Sequence, residues 1–216
     1  MRIDRNSYGT LALVYLVCTL IAVAVIIFVP ALDPRRRGRG DALGCVWQTA
    51  FFRVPKRKHT AGPQELTSVA DGKVVILEKV FEPEFLKSEC IQLSVYMNFF
   101  DVHANFWPAG GEVKYYRYYP GEHFLAFKPK ASEENEHTCV GMRLPGGQEI
   151  LFKQLAGGFA RRIVCHAQEG TTVEGGTQCG IIKFGSRIDM YLPLDAKIRV
   201  KVGDLVRACE TVLAEL

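Results

Sequence analysis

Between Asn6 and Leu32 the chain carries no charged residue, a gap that sets its N-terminus apart from the rest of the 216 residues. Elsewhere it lacks any large excess of charge. The net charge is only +4 at pH 7, too small to argue for a nucleic-acid partner. It also lacks any Cys-x-x-Cys pair. The seven cysteines, Cys18, Cys45, Cys90, Cys139, Cys165, Cys179 and Cys209, are odd in number and scattered. That excludes the usual zinc and dithiol signatures, fits a reduced compartment, and leaves each cysteine as a small buried hydrophobe. The five histidines show no His-x-x-x-His or His-Glu spacing, so no metal site is expected. Beyond the N-terminus there is no long run of 3.6-residue periodicity, which excludes a helical bundle.

What is present begins with the uncharged stretch. Residues 11–29 are apolar apart from Cys18 and Thr19. At about 1.5 Å per residue this is long enough to cross a bilayer core of ~30 Å, so one N-terminal transmembrane helix is expected. A cleaved signal peptide is the rival, but the run exceeds the usual ~7–15 residue apolar region and no small-x-small cleavage site follows. Arg35, Arg36, Arg37 and Arg39 follow it directly and favour a cytoplasmic C-terminal domain. Arg2 and Arg5 on the other flank oppose that orientation, and Lys56, Arg57 and Lys58 tip it back. The organisation expected is a membrane anchor (1–33), a basic linker with an interfacial or packed apolar stretch at 42–52 (34–65), and a globular domain (66–216).

That domain reads as mainly β. Short β-type runs fall at 73–77, 91–96, 113–119, 124–127, 138–144, 149–154, 163–167, 188–192 and 197–200. Turn signals such as Asp71-Gly72, Pro120-Gly121 and Gly175-Gly176 separate them, spacing that suits a sandwich or barrel. One helical turn is expected at 159–163. Tyr115, Tyr116, Tyr118 and Tyr119 read either as an interfacial aromatic patch or as alternating faces of a strand. The turn rhythm of the C-terminal half resembles the hybrid-motif, flattened β-barrel of biotinyl and lipoyl domains. The carrier lysine of such domains is missing, because the corresponding tip reads Phe184-Gly185-Ser186-Arg187.

A serine preceded by glycine can attack its own upstream carbonyl with the least steric obstruction. Taken alone, Gly-Ser is most often a simple turn. Its context is more particular. Phe51-Phe52-Arg53-Val54-Pro55, Val69-Ala70-Asp71-Gly72-Lys73-Val74 and Met97-Asn98-Phe99-Phe100-Asp101-Val102-His103-Ala104-Asn105 come first. Glu149-Ile150-Leu151-Phe152-Lys153-Gln154, Ala160-Arg161-Arg162-Ile163-Val164 and Ile182-Lys183-Phe184-Gly185-Ser186-Arg187-Ile188-Asp189 follow. In that order, from about residue 50 to the C-terminus, these six segments resemble the short bacterial and archaeal form of the phosphatidylserine decarboxylase family.

The resemblance implies a proenzyme that cleaves itself between Gly185 and Ser186 into a β chain (1–185) and an α chain (186–216), which stay together as a heterodimer. Ser186 would become a covalent pyruvoyl group (pyruvate as cofactor) that forms a Schiff base with phosphatidylserine and releases phosphatidylethanolamine and carbon dioxide. By the same resemblance Asp71 and His103 are catalytic, serving the serine as an orienting carboxylate and a base. Asp101 either orients His103 or caps a turn. Longer family members carry a second histidine three residues after the first; this chain has Phe106 there. Arg161 and Arg162 are candidates for the phosphate or carboxylate of the headgroup, which guanidinium binds bidentately. The expected location is the cell membrane, with the catalytic domain on the cytoplasmic side. The alternative is a membrane-anchored, non-catalytic adaptor that is never cleaved.

Overall fold

A computed structural model describes residues 2–28, 45–122, 134–157, 162–183 and 186–216. The chain divides into two compact units, Met1–Lys56 and Arg57–Leu216.

In the first unit, strand β1 (Arg2–Ile3) precedes helix α1 (Tyr8–Phe28) and pairs antiparallel with β2 (Arg53–Val54). Residues 45–51 are helical, and the Trp47, Phe51 and Phe52 rings pack in sequence with centroids 5.7 and 5.1 Å apart. The helix expected from the uncharged run is therefore present. Its status as a membrane span is corrected, because among the described residues no helix is long and apolar enough to cross a membrane. Within α1, the Thr19 hydroxyl bonds back to the Tyr15 carbonyl at 2.8 Å. The basic cluster at 35–39 lies outside the described residues.

Among the described residues, the regular structure of the second unit consists of strands. These are β3 (Glu65–Thr67), β4 (Gly72–Glu82), β5 (Ser88–Met97), β6 (Ala104–Phe106), β7 (Gly111–Tyr119), β8 (His137–Arg143) and β9 (Glu149–Ala156). There follow β10 (Arg162–Cys165), β11 (Thr172–Val173), β12 (Gln178–Lys183), β13 (Ser186–Pro193), β14 (Lys197–Ile198), β15 (Leu205–Val206) and β16 (Val212–Glu215). Eight of them form one antiparallel sheet in the order β11-β7-β8-β9-β13-β5-β4-β15. Two three-stranded sheets, β10-β12-β6 and β14-β16-β3, complete the unit.

The mainly β expectation is met, and the period-2 pattern explains why. In β13, Ile188, Met190 and Leu192 enter the main core while Arg187, Asp189 and Tyr191 point to the opposite face. The core is closed by Leu93, Val95 and Met97 of β5 with Val140 and Met142 of β8 and Ile150 and Phe152 of β9. The likeness to biotinyl and lipoyl domains is not confirmed. The C-terminal strands are divided among three sheets, with β13 central in the largest.

Strand β4 runs further than its apolar residues suggest, pairing with β5 as far as Glu82 and Ser88. The Glu82 carboxylate closes that hairpin by accepting the Glu84, Phe85 and Leu86 amides at 3.0, 2.9 and 2.7 Å. The tyrosines of β7 alternate: Tyr115 and Tyr119 both donate to Glu84, and Tyr118 donates to Glu136. The run expected at 124–127 and most of the turn expected at 159–163 lie outside the described residues; Ile163 itself is in β10.

Candidate active site

Ser186 is the first residue of β13, and strand pairing fixes its neighbours as Met97 on β5 and Ala156 on β9. It shares the parity of Ile188 and Met190, so its side chain faces the core and is fully buried. Its hydroxyl lies 3.6 Å from the Met97 sulfur. Gly185, the other half of the expected cleavage site, lies outside the described residues.

His103 precedes β6 and is also fully buried. Its Nδ1 lies 3.1 Å from the Asp101 carbonyl, and its own carbonyl accepts the Ile182 amide at 3.3 Å. A carbonyl can only accept, so the neutral ring carries its proton on Nδ1 and its lone pair on Nε2. Asp101 does both things the sequence left open. Its main chain holds the His103 ring, and its carboxylate accepts the Asn98 amide at 2.8 Å to cap the turn.

Asp71 sits at the entry to β4. Gly72 follows it at φ +154°, where a Cβ would come within 2.2 Å of the Tyr96 carbonyl oxygen, so only glycine lets the two strands approach there. The Asp71 carboxylate is held by both terminal nitrogens of Arg57, one at 2.6 Å, and accepts the Ala208 amide at 2.9 Å. The hydrogen bond and charge of Asp71, against the cost of burial, raise the pKa of Arg57 above its ordinary value. Sequence reasoning missed this pair. Arg57 reads as part of a solvated basic flank, yet only 10% of its side chain is exposed.

The fold laces the three segments together through the backbone. The Phe106 amide donates to the Val69 carbonyl at 2.9 Å, tying β6 to the stretch that leads to Asp71. The Ile182 contact ties His103 to β12, the strand preceding Ser186. Arg162 opens β10 as an exposed residue paired with Lys183. Arg161 lies outside the described residues. Burial pushes the thiols of Cys90, Cys165 and Cys209 up to about 11 and that of Cys179 well up, so none of these is a ready nucleophile at neutral pH. Among the described residues, no group of three or more His, Cys, Asp or Glu side chains could hold a metal ion.

Comparison with known proteins bears on this arrangement directly. Residues 46–214 match the family model described as phosphatidylserine decarboxylase. A phosphatidylserine decarboxylase proenzyme of Amoebophilus asiaticus is 41% identical over 179 residues, covering 83% of this chain and 80% of the relative. The proenzyme of Nitrosomonas europaea is 45% identical over 165 residues, 76% of each chain, and that of Ralstonia nicotianae 43% over 171 residues, 79% of each. A family match over residues 46–214, with relatives of this identity and coverage, shows that the chain belongs to the phosphatidylserine decarboxylase family.

Proposed function

We propose that this chain is a self-processing proenzyme that converts phosphatidylserine to phosphatidylethanolamine and carbon dioxide. The observation that carries the reading is the position of Ser186: a buried hydroxyl at the head of the central strand, with His103 tied to the strand before it.

The first reaction is on the chain itself. The Ser186 Oγ bonds to the Gly185 carbonyl carbon, the Gly185–Ser186 C–N bond breaks, and the hydroxyl proton passes to the released amine. The hydroxyl is a weak nucleophile at neutral pH, and the lone pair on His103 Nε2 is the base suited to draw its proton. Loss of the Ser186 Cα proton then expels the Gly185 carboxylate from Cβ. Hydrolysis of the resulting dehydroalanine, with loss of ammonia, leaves a pyruvoyl group at the new N-terminus. The group fits where it would form. It keeps the Cα, Cβ and carbonyl of Ser186, puts a keto oxygen in place of the amide nitrogen, and has no Oγ, so the buried position needs no added volume. Once formed, it supplies an electron sink for the pair left behind by departing carbon dioxide. The exposed Arg162, with Arg161, is suited to the anionic headgroup.

A lipid substrate gives the N-terminal unit its purpose. On α1, Leu13, Leu16, Leu20 and Ile21 are all exposed, and the surrounding stretch has no charge. We place the protein at the cell membrane, with these side chains against lipid and the second unit on the cytoplasmic side, where tethering raises the encounter rate with substrate. Sedimentation of a cell lysate should bring the protein down with the membranes; its full recovery in the supernatant would overturn the placement.

The experiment for the reaction is intact-mass measurement of the purified native protein, with carbon dioxide release from phosphatidylserine vesicles. Two fragments meeting at residues 185 and 186, the smaller with a ketone in place of its amine, are expected. A single 24.1 kDa species that turns over lipid would overturn the reading; a single species without turnover would favour the adaptor.

A further inference from the structure

A row of neutral polar side chains crosses the interior and ends at Ser186. Thr138 on β8 and Gln154 on β9 are directly paired, and the threonine hydroxyl donates to Gln154 Oε1 at 2.9 Å. Gln154 Nε2 donates to Asn105 Oδ1 at 2.8 Å, crossing from the eight-stranded sheet to β6. Asn105 Nδ2 in turn faces the Met97 sulfur at 3.9 Å, the same sulfur that receives the Ser186 hydroxyl. None of the five is more than 1% exposed. Space for the crossing is built in: a Cβ on Gly180, the strand partner of Asn105, would lie 2.7 Å from Gln154 Nε2.

Buried polar groups cost stability unless each is paired, and apolar residues of the same size would fill this space at lower cost. The row also has a direction. With the threonine hydroxyl donating to Gln154 Oε1, the Gln154 amide presents its N–H to Asn105. That fixes the Asn105 oxygen toward Gln154 and its N–H toward the sulfur. A thioether is a weak acceptor, so it can set the rotamer of the Ser186 hydroxyl without tying it down when it must leave to attack.

We propose that Asn105 is a positioning residue for the conversion of Ser186, aimed by Gln154 and Thr138 and acting through the Met97 sulfur. The proposal rests on the self-processing reading above, and its test separates the two. Freshly translated full-length chain is sampled over time by denaturing electrophoresis, and the melting temperature of each variant is measured alongside. Thr138→Val, which breaks the row at the end remote from Ser186, should slow cleavage about tenfold, the effect of one well-made hydrogen bond. Thr138→Ser, which keeps the hydroxyl, should restore the parent rate. Met97→Leu should also slow cleavage, and adding Thr138→Val to it should produce no further loss, because the row no longer reaches the serine.

A purely structural role for Thr138 would instead give independent, multiplying effects in the double variant. That result, or parent-rate cleavage in both single variants at unchanged melting temperature, would overturn the proposal. If Thr138→Val fails to fold, Gln154→Met carries the same test. It keeps the length of the side chain but has no N–H to offer Asn105, so it should slow cleavage in the parent chain and have no added effect in the Met97→Leu background. Failure of the parent chain to cleave at all would defeat the self-processing reading itself.

Discussion

Ser186→Ala is expected to leave the chain as one 24.1 kDa polypeptide with no decarboxylation above background. The hydroxyl is the only group removed. The pairing with Met97 on β5 and Ala156 on β9 is through the backbone, so the register does not depend on the side chain. The oxygen's loss removes one weak hydrogen bond to sulfur, so stability should change by no more than about 1 kcal/mol. Loss of function with an unchanged melting temperature is therefore the signature, read by electrophoresis, calorimetry and release of labelled carbon dioxide. Measurable turnover by the uncleaved variant would mean that the electron sink does not come from this residue.

The second large effect is expected at His103. Its replacement by asparagine should slow self-cleavage by roughly 10²- to 10⁴-fold, the range in which positioned bases contribute. Asparagine carries its amide nitrogen on Cγ, as histidine carries Nδ1, and can still donate to the Asp101 carbonyl, so the loop from Asn98 to His103 should survive. What it cannot supply is a basic nitrogen. The measurement is the half-time for appearance of the small fragment, beside a melting curve that reports any damage to packing around a fully buried side chain. Cleavage at the parent rate would remove His103 from the reaction and leave its burial as a packing feature. Because Phe106 stands where longer relatives carry a second histidine, no neighbouring imidazole in this segment can take over.

Much of this was legible in the sequence because strands write a period of two into their residues. The runs at 91–96, 113–119, 138–144, 149–154 and 188–192 all fall within or largely within strands, and Ser186 stood out through the segments around it. The charged half of β4 did not read as a strand, since Glu78, Lys79 and Glu82 supply no apolar alternation; pairing with β5 extends it. Nor could spacing show how strands divide among sheets, which is decided by contacts far apart in sequence. The Arg57–Asp71 pair and the Asn105–Gln154 bond illustrate the same limit, joining residues 14 and 49 positions apart. One signal for the buried row was nonetheless present. Thr138 and Gln154 fall in phase with the inward residues Val140, Met142, Ile150 and Phe152, where polar side chains need partners.

The location of β13 has a mechanical consequence for the matured molecule. A cut ahead of Ser186 would free only the leading tip of a ribbon that β5 grips along one border for its whole length and β9 along most of the other. Pulling that ribbon out would strip two strands of their partners at once and tear the middle of the largest sheet. The nicked particle should thus behave hydrodynamically as one body, coming apart only when the fold melts, while its fresh terminus stays clamped among side chains that were in place before the bond opened.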